Sequence, residues 1–157
     1  KSTEIVLNNY QKLLTEVQNH IQKTGKNIVK IVTRQKVVMG WEIGKIIDEH
    51  LIKNPKSGYG DHLFAELEKD TTISQRVLYQ MRNFYKTYPK LPKDDDDLNW
   101  SHYRVLSGIK KTEERKYLED LTRQNGWDVR ALQEEVSKSK NNSTKNAKYD
   151  TNQSKAN

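Results

Sequence analysis

The chain has 157 residues, 33% of them hydrophobic and 31% charged, with a net charge of +7. That length holds one domain or two small ones around a lean core, and the basic excess points to an anionic partner, nucleic acid or an acidic surface. With no cysteine, disulfides and thiolate metal sites are excluded and a reducing, cytoplasmic setting is expected.

No apolar run approaches the ~18 residues of a membrane span. No signal peptide is visible, and a chain that begins at Lys1 rather than Met is expected to be a piece of a longer protein.

In chain order, Ser2 to Lys23 reads as a helix with a narrow stripe of Ile5, Leu13, Leu14, Val17 and Ile21. Thr24–Gly25–Lys26–Asn27 reads as a break, with Gly25 able to take a positive φ. A second long helix is expected over 27–53, where Ile28, Ile31, Val32, Val38, Trp41, Ile46, Ile47 and Leu51 keep helical spacing. Gly40 and Gly44 each cost about 1 kcal/mol relative to Ala in a helix. Their expected use is the close approach of another backbone beside Trp41.

After the Asn54–Gly58 loop, two helices joined by a short polar turn are expected between Tyr59 and Pro89. Leu63, Phe64 and Leu67 mark the inner face of the first, and Thr71–Thr72–Ile73 forms the turn. Ser74 is placed to cap the second. On a wheel of about 100° per residue, Val77, Leu78, Met81, Phe84, Tyr85 and Tyr88 fall on one side of that helix. Gln75, Arg76, Tyr79, Arg82, Asn83 and Lys86 fall on the other. A helix-turn-helix reader of DNA needs such a polar, basic face to reach phosphates and base edges. An amphipathic helix with a solvated polar face has the same pattern.

Pro89–Lys93 breaks the helix, and the acidic run Asp94–Asp97 follows. Adjacent carboxylates do not converge on one ion without a special loop, so a solvated loop is expected and no metal site is assigned. Three short helices complete the ordered part. Ser101 is the expected cap of the first, with Trp100 and Val105 as a hydrophobic staple, and the helix ends near Gly108. Thr112 is the expected cap of the second, with Tyr117, Leu118 and Leu121 inside and Asn125–Gly126 at its end. Val129, Leu132 and Val136 mark the third. The domain thus spans 1–138, with sub-units at 1–93 and 98–138. Residues 139–157, rich in Lys, Asn, Ser and Thr, read as a disordered polar linker or tail. The fold class is all-α.

Charge is uneven. Lys1 to Lys93 carries 16 basic and 9 acidic residues, the remainder 12 and 12. Between Thr71 and Lys93 there are five basic residues and no acidic one. His20, His50, His62 and His102 have no metal-ligand spacing. No phosphate loop, nucleophile elbow or strand-borne carboxylate cluster is found. No catalytic residue and no cofactor is therefore assigned.

The segments WEIGKIIDEH (Trp41–His50), YG (Tyr59–Gly60), LYQMRNFYKTYP (Leu78–Pro89), LNWSHYRVL (Leu98–Leu106) and NGWDVRALQEEV (Asn125–Val136) resemble the N-terminal domain of the YhcG-like proteins (DUF1016). The resemblance spans about residues 28–138. It implies an all-helical, helix-turn-helix-like domain that usually precedes a nuclease domain of the PD-(D/E)XK superfamily. The chain departs from the family in a shorter turn, Thr71–Ser74, before the second helix of the motif.

Three roles follow as expectations. The first is a non-enzymatic DNA-binding module using Gln75, Arg76, Tyr79, Arg82, Asn83 and Lys86. The second is a homodimerisation module that positions a downstream nuclease domain of the same chain. The third is binding of RNA or another protein through the same basic face.

Overall fold

The computed structural model describes residues 1–95 and 97–153, the last eight as backbone alone. Its described residues form α1 (Ser2–Lys53), α2 (Tyr59–Thr71), α3 (Gln75–Thr87), α4 (Trp100–Leu106), α5 (Thr112–Asn125) and α6 (Val129–Gln153), with no strand. The all-α class is as expected.

The two expected N-terminal helices are one helix of 52 residues. Gly25 does not take a positive φ. The Thr24 hydroxyl donates to the His20 carbonyl at 2.9 Å, as it does within a regular helix. One glycine weakens a helix by about 1 kcal/mol, and without a proline beside it that is too little to end one this long.

Only the C-terminal third of α1 is packed. Its buried residues are Val37, Gly40, Trp41, Gly44, Ile47 and Asp48. Ile28, Ile31, Val32 and Ile46, expected inside, are exposed. α3 crosses this buried face so closely that a Cβ on Gly44 would land on the Met81 carbonyl. A Cβ on Gly40 would come within 2.9 Å of the Trp100 ring. Gly44 therefore admits the expected close approach of another backbone, whereas Gly40 makes room for a side chain, the Trp100 ring. The Trp41 indole N–H donates to the Tyr88 carbonyl at 2.7 Å and locks the end of α3 to α1.

Two apolar clusters result. Ile47, Phe64, Leu78 and Met81 join α1, α2 and α3. The larger joins Val37, Trp41 and Phe84 to Leu98, Tyr103, Leu106, Ile109, Leu118 and Leu132. The two expected sub-units thus share one core.

The caps of the later helices differ from expectation. Asn99, not Ser101, caps α4, its side-chain oxygen accepting from the Ser101 and His102 N–H groups. Trp100 is then the first helical residue, so the staple does not form. His102 Nδ1 accepts from the Asn99 N–H at 3.1 Å. That assigns the ring proton to Nε2, which donates to the Trp127 carbonyl at 2.7 Å. Thr112 is the first residue of α5 rather than its cap. Tyr117, expected inside, is 63% exposed, while Thr122 is fully buried with its hydroxyl on the Leu118 carbonyl. Gly126, at φ 60°, ends α5 as expected, and Asp128 caps α6 by accepting from the Ala131 N–H.

At the start of the polar C-terminal segment, Ser139 is half-buried and donates its hydroxyl to Glu114 at 2.6 Å. Asn141 to Lys145 are exposed. With no Pro or Gly to interrupt it, the backbone continues α6 to Gln153. Residues 154–157 of the expected tail, and Asp96 of the acidic run, lie outside the described residues.

Within that run, Asp95 accepts from Arg123 at 2.6 Å and from the Asp97 N–H at 2.9 Å, tying the 88–99 loop to α5. Burial opposes ionisation of Asp95, but these two hydrogen bonds and the Arg123 charge together hold its carboxyl below the ordinary value.

Two outcomes test this fold in urea unfolding. Gly44→Ala loses about 1–3 kcal/mol through overpacking against α3. Gly25→Ala, with nothing within 4 Å of the added Cβ, is neutral or stabilising by up to about 1 kcal/mol. Asp95 also imprints on the pH profile. Its folded pKa lies below the unfolded one, so its contribution is present above the unfolded value and lost as pH falls through the folded one. In pH-dependent denaturation, Asp95→Asn lowers stability near neutrality and flattens the loss below about pH 4.

Candidate nucleic-acid interface

The first turn of α3 is built to present its polar face. α2 ends at Thr72 in the left-handed region, φ 63°. The chain reverses through Thr72–Ile73–Ser74, and Ser74 accepts from the Val77 N–H at 3.3 Å, the expected cap. The Glu68 carboxylate of α2 accepts from the Gln75 N–H at 2.6 Å, a negative charge at the positive end of α3. Leu78, Met81 and Phe84 are buried, with Val77, Tyr85 and Tyr88 half-buried, so the apolar side is the one the wheel identified.

Of the six polar candidates, Arg76, Tyr79, Arg82, Asn83 and Lys86 line one open concavity of about 500 Å³, together with Gln80 and without a carboxylate. Gln75 lies outside that lining, at the turn.

Three of the five are held by the fold. Arg82 Nε donates to Asp48 of α1 at 2.9 Å. Asp48 is only 7% exposed, so the pair neutralises most of the charge Arg82 would offer a ligand. Tyr79 stacks on Phe64 at 3.9 Å between ring centroids and donates its hydroxyl to Asp61 at 3.0 Å. That hydrogen bond is the main reason its phenol sits above the ordinary value. One face of the Tyr79 ring is thus already covered. The Asn83 amide donates to the Ser107 carbonyl at 2.9 Å, which leaves its oxygen to accept. Arg76 and Lys86 are exposed.

The structure adds two residues that the wheel did not select. Gln80 lines the first concavity and also a second one of about 510 Å³, shared by α3, α4 and α6. Arg104 lines the second, with Arg76 on the ridge between the two and no carboxylate in either lining. The Arg104 guanidinium lies 5.8 Å from the centroid of the Trp100 ring. Its Nε and the Gln80 Oε1 are buried without a protein hydrogen-bond partner. Trp100 and Arg104, at i and i+4, were the available signal, but their stretch read as core helix. Among the described residues, no three His, Cys, Asp or Glu side chains converge as they would to hold a metal ion.

A family model described as the DUF1016 N-terminal domain matches residues 16–142 of the chain. No curated protein and no solved structure matches it.

The Arg82–Asp48 pair separates structure from binding. Arg82→Ala strands a buried carboxylate and lowers the urea midpoint, by about 1–3 kcal/mol of stability. Arg76→Ala, with no partner to strand, leaves the midpoint within about 0.5 kcal/mol.

Proposed function

The chain belongs to the DUF1016 N-terminal domain family, and we propose that it acts as a DNA-binding module of helix-turn-helix type. The observation that carries this reading is the carboxylate-free concave surface on α3, which gathers Arg76, Arg82 and Lys86 around Gln80 and Asn83. Arg76, Lys86 and Arg104 make the phosphate contacts. The Asn83 oxygen and Gln80 face the groove, where amides read base edges. Tyr79 packs against the sugar edge with its free face. The module works by binding and carries no chemistry of its own. A nuclease domain further along the same protein would receive the DNA it holds, in the cytoplasm.

A second reading is favoured by one observation. The N-terminal half of α1 has no packing partner among the described residues, and Ile5, Leu7, Tyr10, Leu13, Val17 and Ile21 are 48–66% exposed. A helix carrying that much apolar surface serves assembly, joining copies of the module. The two roles are compatible.

Anisotropy of labelled duplex DNA, titrated across a salt series, tests the first reading. Log affinity falls linearly with log salt, and Arg76→Ala, Lys86→Ala and Arg104→Ala each reduce the slope by about 0.9. A folded protein that binds no duplex at low salt refutes it. Tighter binding to a matched RNA than to DNA moves the assignment to RNA.

A further inference from the structure

α1 carries a second pattern that the domain does not use. From Leu7 to Val38, positions at alternating spacings of three and four are apolar except at Thr24 and Gln35, which is the 3.5-residue repeat of a coiled coil rather than the 3.6 of a helix lying on a globular core. In heptad terms the a positions are Leu7, Leu14, Ile21, Ile28 and Gln35. The d positions are Tyr10, Val17, Thr24, Ile31 and Val38. Gly25 falls at e, off the seam, where the helix passes through it unbroken.

The stripe runs along the side of α1 away from the domain, and its last residue, Val38, is half-buried. At about 100° per residue, Trp41, Gly44 and Ile47 face the domain, while Ile31, Gln35 and Met39 fall on the opposite side of α1. Ile31 and Met39 are 61% and 48% exposed. A second helix can therefore lie along the stripe as far as Val38 with no collision with α3. Between Leu7 and Val38 the seam is about 47 Å long.

We infer that residues Leu7–Val38 of α1 form an antiparallel two-stranded coiled coil with a second copy of this chain. The inference rests on the assembly reading above. Lys12, Lys23, Lys26 and Lys36 all sit at outer b, c and f positions, so two copies can close without burying a lysine. Within Leu7–Val38, positions e and g, which select a differently charged partner, carry no carboxylate and no lysine, and Arg34 is their one arginine. Over five heptads the a, d, e and g positions supply about 20 residues a side, enough for a standard interface.

Charge sets the orientation. Residues 1–22 hold two basic and two acidic side chains, residues 23–38 five basic and none acidic. A parallel pair places the two cationic halves side by side, whereas an antiparallel pair lays each against residues 7–22, whose only charged side chains are Lys12 and Glu16. In that register Leu14 faces the partner's Ile31, and Tyr10 faces the partner's Gln35, phenol against amide.

The chain has no cysteine, so cross-linking reports the pairing cleanly. Leu14→Cys and Ile31→Cys, mixed and oxidised, give a disulfide-linked Leu14→Cys/Ile31→Cys pair, and neither variant cross-links alone. Efficient self-linking of Leu14→Cys overturns the antiparallel seam. Sedimentation equilibrium of the full chain gives a dimer. Ile21→Asp weakens it by at least ~100-fold, while the outer change Lys23→Glu leaves it intact. The unfolding transition seen by Trp41, Trp100 and Trp127, all outside the seam, persists in Ile21→Asp. A dimer indifferent to Ile21→Asp overturns the seam and leaves the assembly reading standing. A wild-type monomer at high concentration overturns both.

Discussion

The contact between the α1 and α3 backbones at Gly44 governs this domain. With no side chain between them, the Met81 carbonyl sits where any Cβ on Gly44 would go. That approach determines how deep α3 lies and how it is rotated. Rotation matters because α3 has two unlike sides. With Leu78, Met81 and Phe84 turned inward, Arg76, Asn83 and Lys86 are turned out. The same approach brings Arg82 within 2.9 Å of Asp48, one turn beyond Gly44 on α1. A buried carboxylate on α1 and an arginine on the otherwise open face of α3 thus hold the crossing in register. Breaking such a pair leaves an uncompensated charge.

Much of this was legible in the sequence, and the omissions have physical causes. The sidedness of α3 was readable because a wheel needs only the residues of one helix. Gly40 and Gly44 were readable because two glycines cost more than a helix bears without a reason. Gly25 misled because the same cost, taken once in a solvated stretch, is too small to break the helix. The candidate site was half readable. That α3 presents a basic face is local information. That Asp48 and Asp61 reach that face from α1 and α2 is not, since they lie 34 and 18 residues away from their partners. Arg104 was missed for the same reason, because only the packing of α4 beside α3 makes it a neighbour of Arg76. Asn99 outcompeted Ser101 as a cap because His102 could close the capping box and reach Trp127 as well.

The apolar residues of this chain divide into two populations. From Val37 onward most build the two clusters of the domain, while Met39, Ile46, Ile52, Tyr79 and Tyr117 are exposed. Those before Val37 lie on α1 in open solvent, and Ile5, Val6, Ile21 and Val29 are each more than 60% exposed. A chain with 33% hydrophobic residues has little apolar surface to spare. The proposed association would bury this surface of α1. Most helical stability in proteins comes from packing an apolar face, so in the proposed pair partner contact would supply here what tertiary packing supplies elsewhere.

The proposed assembly and the proposed DNA contact would act on one another through geometry. In an antiparallel pair the two domains sit at opposite ends of a shared rod, about 60 Å apart along its axis. That exceeds one turn of duplex, about 34 Å, the separation at which paired helix-turn-helix domains read adjacent half-sites. Each domain offers few free cations, since Arg82 is neutralised by Asp48. Under the DNA-binding proposal, the affinity of one domain alone would be modest. Tethering two such surfaces converts the second contact into an intramolecular event, at an effective concentration set by the stiffness of the rod. The rod is helical and rigid, so that gain is confined to DNA that presents two backbone stretches at the matching distance. Selectivity would then reside in the spacing of duplex segments as much as in their sequence, which a small carboxylate-free face with two amides is poorly equipped to read alone.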